Sequence, residues 1–529
     1  MGKKILSIIL ILSMFVVLLT GCGKEKEVAE QDKATTAEVT KDATASDGGK
    51  TFNGVDISKP LKLKMYLLGD RTADFDKVYV EINKILQEKL NATVEVEFLS
   101  WSEHDTKYSL LFAGADDFDL IFTASAWGHY ETTVAMGGFY PLAQDFIQTY
   151  APDIWKVVPE VAWSQAEIDG SAYMVPNYQN EFGANVVAVR GDLMDKYGYS
   201  DITSWDQLME FYNDVAANET TTSPLGTQGG GLLYSYLLDQ KLDTIGGAPG
   251  ELFIYNCLDT GDLATMYSLD SDVFTNYFKL AKDMYDKGFW SADSLATTEE
   301  RQDGFLNGTA ASMIWNLGTA KYYAKEANKA HPEWKCTIVD VSPNVQKAVN
   351  PYINNGVAIN ASSKNKERAM MVLNEFYTNK DIQDLTSLGI PGTHWEAVGE
   401  KEYKLLDANT NYGVDNNCNW GWINTEIKRK EYIESPDEVD KKTTAISDSW
   451  NANIKTEHPY DGFSFNNANV SSEKAAVDTV ISQYYTPLML GMAGDVDTAL
   501  TELRNQLDKA GIQTIYDDIK KQAEAYLTK

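Results

Sequence analysis

Cysteine is scarce in this chain, with four in 529 residues. Cys257, Cys336 and Cys418 lie far apart and never form Cys-x-x-Cys, so a cysteine zinc site is not expected. One disulfide among these three stays open, with three buried free thiols as the default. Histidine numbers five, and His104, His129, His331, His394 and His458 are scattered without metal-ligand spacing. No metal and no cofactor is expected. Gly-x-Ser-x-Gly and His-Glu-x-x-His are absent, and "TQGGGLLY" lacks the Lys-Ser/Thr of a phosphate loop. Ser363 and Lys366 fit Ser-x-x-Lys without the other segments of that enzyme class. Carboxylates are numerous, but no glycosidase-like pair stands out. No catalytic residue is therefore singled out. Positive charge is also short: 46 Lys and Arg stand against 77 Asp and Glu, a net charge of −31. Such a field repels nucleic acid and anionic lipid, which argues against a polyanionic ligand.

Long apolar runs are missing after the first residues, so nothing else in the sequence reads as a membrane span. The start of the chain is different. Lys3 and Lys4 precede an apolar stretch, Ile5 to Leu19, too short to span a bilayer. Leu19-Thr20-Gly21-Cys22 then resembles the bacterial lipobox, which places the lipid on Cys22 after removal of residues 1–21. From Cys22 to residue 52 the chain has almost no aromatic or branched aliphatic residues and is rich in Lys, Glu, Thr and Ala. It cannot offset its ordering entropy and reads as a flexible tether. About 30 residues reach roughly 100 Å extended and average about 30 Å as coil.

The full sequence is 43% hydrophobic and 11% aromatic, a composition for a well-packed body, and the length that remains after the tether suggests two or three lobes rather than one core. "LKLKMYLLGD" alternates as a strand, "DFDKVYVEINKILQEKL" has helical spacing, "ATVEVEFLSW" is a strand, "DTKYSLLFAG" a helix and "FDLIFTASAW" a strand. That alternation predicts a parallel sheet with helices on both faces and a ligand site outside its carboxyl ends. Later come "ANVVAVRGDLMDKYG", a helix capped by Ser204, the strand "TAASMIWN", and the strand–helix unit "PYINNGVAINASSKNKERAMMVLNEFYTN". The end is helical, with Asp495 and Gly511 where caps belong.

Several of these stretches together resemble the extracellular solute-binding proteins of carbohydrate-type ABC importers. They are "EIDGSAYMVPN", "ANVVAVRGDLMDKYG" followed by "SWDQL", "GFLNGTAASMIWN" and "GVAINASSKNKERAMMVLNEF". "GIPGTHWE" and "GFSFNNANVSSEKAAVDTVISQYY" look like a subgroup with its own C-terminal module. The resemblance implies an α/β, two-lobed type II periplasmic-binding-protein-like fold with a hinge and an interlobe cleft. Lobe one is expected over 53–183 and 350–400. Lobe two takes 184–349 and 401–529, with the C-terminal helical module. The implied function is capture of a sugar or oligosaccharide and its delivery to membrane permease subunits. The protein is then no enzyme, acts as a monomer and sits lipid-anchored on the outer face of the membrane. A surface glycan-cleaving enzyme, or a receptor for a peptide or other organic solute, are the alternatives.

A sugar ring wants a flat aromatic platform and directed polar partners. Trp127 and Trp315, at strand ends, match the family's aromatic contacts or are packing residues; Asn316 adjoins the second. Asp70 and Arg71 follow the first strand and either bind hydroxyls, cap a helix or lie exposed at the surface. Gln179 and Glu181 follow the hinge signature. His394 and Trp395 follow a Gly-Ile-Pro-Gly turn where the chain leaves lobe one, and Phe463 and Phe465 precede a C-terminal helix. Trp420 and Trp422 in "NWGW" read equally as structural. Cys22→Ala should abolish incorporation of labelled fatty acid; label retained by that variant would overturn the lipobox reading.

Overall fold

The computed structural model describes residues 50–528 apart from 115–116, 126, 180–181, 227–231, 257–267, 298, 346, 415–418, 453, 456–459, 461–462 and 464. Cys22, Glu181, Cys257 and Cys418 lie outside the described residues. In chain order the strands of the two main sheets are β1 (Leu61–Leu68), β2 (Ala92–Leu99), β3 (Leu120–Thr123), β4 (Met174–Pro176), β5 (Asn185–Val189), β6 (Ser312–Asn316), β7 (Thr337–Val339) and β8 (Gly356–Ile359). The helices that matter most are α1 (Phe75–Leu90), α2 (His104–Ala113), α3 (Leu317–Ala330), α4 (Lys366–Thr378) and α5 (Glu438–Ala452).

Local chemistry explains these elements. Leu63, Met65 and Leu67 of β1 are buried, as the period-two alternation requires. Val78, Ile82, Leu86 and Leu90 form one buried face of α1, each four residues from the next. Asn91 ends that helix in the left-handed region, with φ of 49°. Ser204 Oγ accepts from the Gln207 N–H, and Asp495 Oδ1 accepts from the Thr498 N–H, so both expected caps form. Gly511, with φ of +90°, closes the helix Val496–Ala510.

The first lobe holds a five-stranded sheet in the order β2-β1-β3-β8-β4. The first three strands are parallel, as their alternation with helices predicts, whereas β8 runs antiparallel to both β3 and β4. The second lobe has a three-stranded sheet, β6-β5-β7, in which both flanking strands oppose β5. Register shows which edges face each other. Thr123, Pro176 and Gly356 lie abreast. The chain leaves the first lobe just after Pro176 and returns just before Gly356, so this edge faces the second lobe. There, Asn185 and Val186 lie abreast of Asn316 and Trp315, at the edge where the crossover enters. The crossovers are bridged to neighbouring chain at Phe182–Val349 and Tyr178–Asn424, and Lys347–Ala348 pairs with Ile454–Lys455.

The first core gathers residues from Ile57 to Val175 and from Ile353 to Leu385, together with Tyr412 and Trp422. The stretch after residue 400, expected in lobe two, thus begins in lobe one. The reason is Trp422, which is fully buried and donates Nε1–H to Thr386 Oγ1 at 3.2 Å. Phe465, Val477, Leu503 and Ile519 of the C-terminal module join the core of the second lobe. Cys336 is a buried free thiol, and burial pushes its pKa up to about 12. Among the described residues no helix is long and apolar enough to cross a membrane.

Asp440 on α5 is 2% exposed and faces Lys325 at 2.7 Å and Lys321 at 3.1 Å, both on α3. Burial alone would raise its pKa, but the two ammonium groups outweigh it and hold the carboxyl at about 2, against 3.8 when unfolded. The folded pKa is depressed, so the stabilisation, about 2 kcal/mol, is full above pH 3.8 and lost as pH falls through about 2. Denaturant midpoints of wild type and Asp440→Asn should converge along that descent. A gap that does not change with pH would show that the carboxylate charge contributes nothing.

Candidate functional site

Three tryptophans meet at the carboxyl edge of the first-lobe sheet. Trp101 follows β2, Trp127 follows β3, and Trp420 arrives on the loop that later buries Trp422. The Trp101 ring lies 6.1 Å from that of Trp127 and 5.8 Å from that of Trp420, tilted by 36° and 37°. Trp127 is fixed from behind by Phe122, 5.5 Å away, and its Nε1–H donates to the Asn354 carbonyl of the returning crossover at 3.2 Å. The Trp420 loop lies flat on β8 because residue 421 is glycine: a Cβ there would fall 2.6 Å from Val357 Cγ2. Trp101 remains 42% exposed, a large apolar face kept at a solvent edge. Two buried acceptors, Asn177 Oδ1 and Asn355 Oδ1, sit beside the ends of β4 and β8 without a hydrogen-bond partner. An apolar platform beside unsatisfied acceptors suits a ligand with a flat C–H face and a rim of hydroxyls.

Of the residues expected from sequence, Trp127 belongs to this cluster. Trp315 stands at the facing edge of the second lobe, half-buried, with the Arg301 guanidinium 4.4 Å over its ring and Tyr323 stacked at 6.3 Å. Asn316 caps α3, its Oδ1 accepting from the Thr319 N–H at 2.9 Å. Gln179 is half-buried at the start of the crossover, within 3.4 Å of the Asn177 amide. Asp70 is exposed. Arg71 lies over the rings of Phe75 and Phe98 and bonds to Asp76 and the Val96 carbonyl, which ties α1 to β2.

Three expectations are corrected. His394 is fully buried: its Nδ1 accepts from the Ile390 N–H at 2.8 Å and its Nε2–H donates to Asp74 Oδ2 at 3.1 Å. Trp395 is 3% exposed and donates to the Gly389 carbonyl at 2.9 Å. Both stabilise the Gly-Ile-Pro-Gly turn, residues 389–392, from inside the protein rather than facing a solute. Phe465 is 1% exposed, because its N–H is fixed to the Gly246 carbonyl at 2.7 Å and its ring drops into the second core. Phe463, by contrast, lines a cavity of about 560 Å³ between the lobes, with Tyr130, Glu131, Gln165, Gln522 and Tyr526. Trp420, which the sequence reads equally as structural, joins the cluster, and so does Trp101, which is not among the candidate contacts. The only signal for Trp101 was its position one strand end from Trp127.

Comparison with known proteins agrees with this architecture. Residues 70–383 match the family described as bacterial extracellular solute-binding protein. Residues 459–528 match a domain of unknown function, DUF3502. The chain is similar to a carbohydrate ABC transporter substrate-binding protein of Streptococcus pneumoniae serotype 4, 26% identical over 488 residues, covering 90% of this chain and 94% of that one. Its fold is similar to that of an N-glycan transport solute-binding protein of Streptococcus pneumoniae, with a TM-score of 0.68, 21% identity, and coverage of 89% and 99%. It is also similar to an extracellular solute-binding protein of Bifidobacterium longum subsp. infantis, with a TM-score of 0.62, 15% identity, and coverage of 89% and 99%.

The His394 geometry makes a separate prediction. His394→Ala removes the acceptor of the half-buried Ile390 N–H and the partner of buried Asp74, and should lower stability by about 1–3 kcal/mol with no change in solute affinity. An affinity loss in the folded variant would return His394 to the binding site.

Proposed function

The chain belongs to the bacterial extracellular solute-binding protein family, and from that premise we propose that it captures an oligosaccharide between its lobes. It passes the solute to ABC permease subunits, while the lipid on Cys22 holds it at the outer face of the membrane. The observation that carries the reading is the Trp101, Trp127 and Trp420 cluster at the edge facing the second lobe. Sugar rings stack on the tryptophan faces, and hydroxyls reach the acceptors of Asn177 and Asn355 and the amide of Gln179. Trp315 and Phe463 meet the solute from the other side when the lobes close. The names of the similar proteins support this substrate class, since they describe carbohydrate and N-glycan transport.

Closure follows from binding across two bodies. A solute that touches both lobes binds the closed form better and shifts the population toward it. The tether keeps the receptor near its permease at high effective concentration without a rigid dock.

The test is an oligosaccharide panel read by thermal shift and calorimetry. A bound glycan at about 100 times Kd adds roughly 2.7 kcal/mol to stability. Trp101→Ala should weaken binding by roughly 30- to 1,000-fold, the usual ~2–4 kcal/mol of a central aromatic anchor. Because Trp101 is 42% exposed, that variant should keep its fold. Turnover of the glycan would favour the cleaving-enzyme reading, and unchanged affinity in the variant would remove the platform from the mechanism.

A further inference from the structure

Directly behind the tryptophan platform, two loops bring nitrogen and oxygen donors together. His104 and Asp105 open α2, and His129 precedes the short helix Tyr130–Ala135. Asp105 Oδ1 lies 3.3 Å from His104 Nε2 and 3.4 Å from His129 Nε2. One donor atom from each residue fits within a 4.8 Å span. We propose that His104, Asp105 and His129 bind one divalent transition-metal ion of the zinc class.

The spacing is that of a coordination sphere. Ligands about 2.0–2.1 Å from a tetrahedral zinc stand roughly 3.3 Å apart, and two of the three edges match that separation. The hydrogen bonding points the same way. His104 Nδ1 is 2.9 Å from the Trp101 carbonyl, which can only accept, so the ring proton sits on Nδ1. In the neutral imidazole that leaves Nε2 as a lone pair 3.3 Å from Asp105 Oδ1. Two acceptors face each other there, an arrangement that a cation relieves. A backbone carbonyl on the distal nitrogen is also the usual support for a metal-binding histidine. Independently, His129 Nε2 is closed off from solvent and makes no hydrogen bond. His129 also holds a left-handed backbone, with φ of 64°, an uncommon conformation for a residue other than glycine. Its ring lies 4.7 Å from the buried ring of Tyr108, which fixes its direction.

Three protein ligands leave a fourth position for water or a solute oxygen. The ion would also cross-link the segments that carry Trp101 and Trp127, and so set the spacing of the platform.

The test uses the full-length protein in detergent, stripped with EDTA and desalted. Titration with Zn²⁺ alone should show one saturable equivalent and a raised thermal midpoint. Co²⁺ should give the visible bands of a low-symmetry nitrogen and oxygen site, without thiolate charge transfer. Asp105 is 76% exposed in its side chain, so Asp105→Ala should fold normally and bind Zn²⁺ about tenfold more weakly or worse. His129→Asn, which keeps a residue tolerant of the left-handed backbone, should do the same. No saturable equivalent, a thiolate band, or wild-type affinity in folded Asp105→Ala would each overturn the proposal.

Discussion

Strand β8 arrives from the second lobe and takes hydrogen bonds from β3 on one side and β4 on the other. Most of the architecture depends on that insertion. Because β8 runs against its neighbours, its first residue lies at the edge where theirs end. The route out of the lobe and the route back are therefore held at the same edge. Gly356 makes the fit: a Cβ there would stand 2.6 Å from both Met174 Sδ and the Val175 carbonyl. α4 follows β8 and covers the sheet with Met371, Leu373 and Phe376, all buried. The first lobe is thus completed by residues that lie some 180 positions after the chain leaves it.

The same edge concentrates the chemistry. Parallel strands end there, and their following loops are free to carry large side chains to one place. Trp101 and Trp127 use that freedom directly. Trp420 needs a second condition, the glycine that lets its loop rest on β8. The tryptophans are supported by groups with no exposure at all. Tyr377, for example, is fully buried, and its hydroxyl lies 2.6 Å from the Gly421 carbonyl. A rigid backing behind a half-exposed aromatic surface lowers the entropy lost on binding.

Much of the fold was legible because periodicity is a local property. The spacing in Val78, Ile82 and Leu86 and the alternation in β1 identify elements without any knowledge of partners, and Ser204, Asp495 and Gly511 declare helix ends. Long-range pairing is not local. Nothing in "GVAI" says that β8 enters between β3 and β4, and nothing after residue 400 says that Trp422 returns to the first core. The site was legible in the same uneven way. Position at a strand end placed Trp127 and Trp315 on facing edges. His394 misled because a turn rich in glycine and proline, Gly389-Ile390-Pro391-Gly392, looks like an exposed loop, while its imidazole in fact satisfies buried Asp74. His104 and His129 looked scattered because 25 positions separate ligands that two loops bring within reach of one carboxylate.

The bridges that tie the crossovers to each other and to neighbouring chain have a mechanical consequence. Phe182 pairs with Val349, Tyr178 with Asn424, and Lys347 with Ile454. Strands joined side by side form a ribbon, and a ribbon is compliant across its thin direction and stiff within its plane. Twist and sideways slip would shear those pairings, whereas flexing leaves them intact. Any relative movement of the two lobes would then favour flexing over twist or slip.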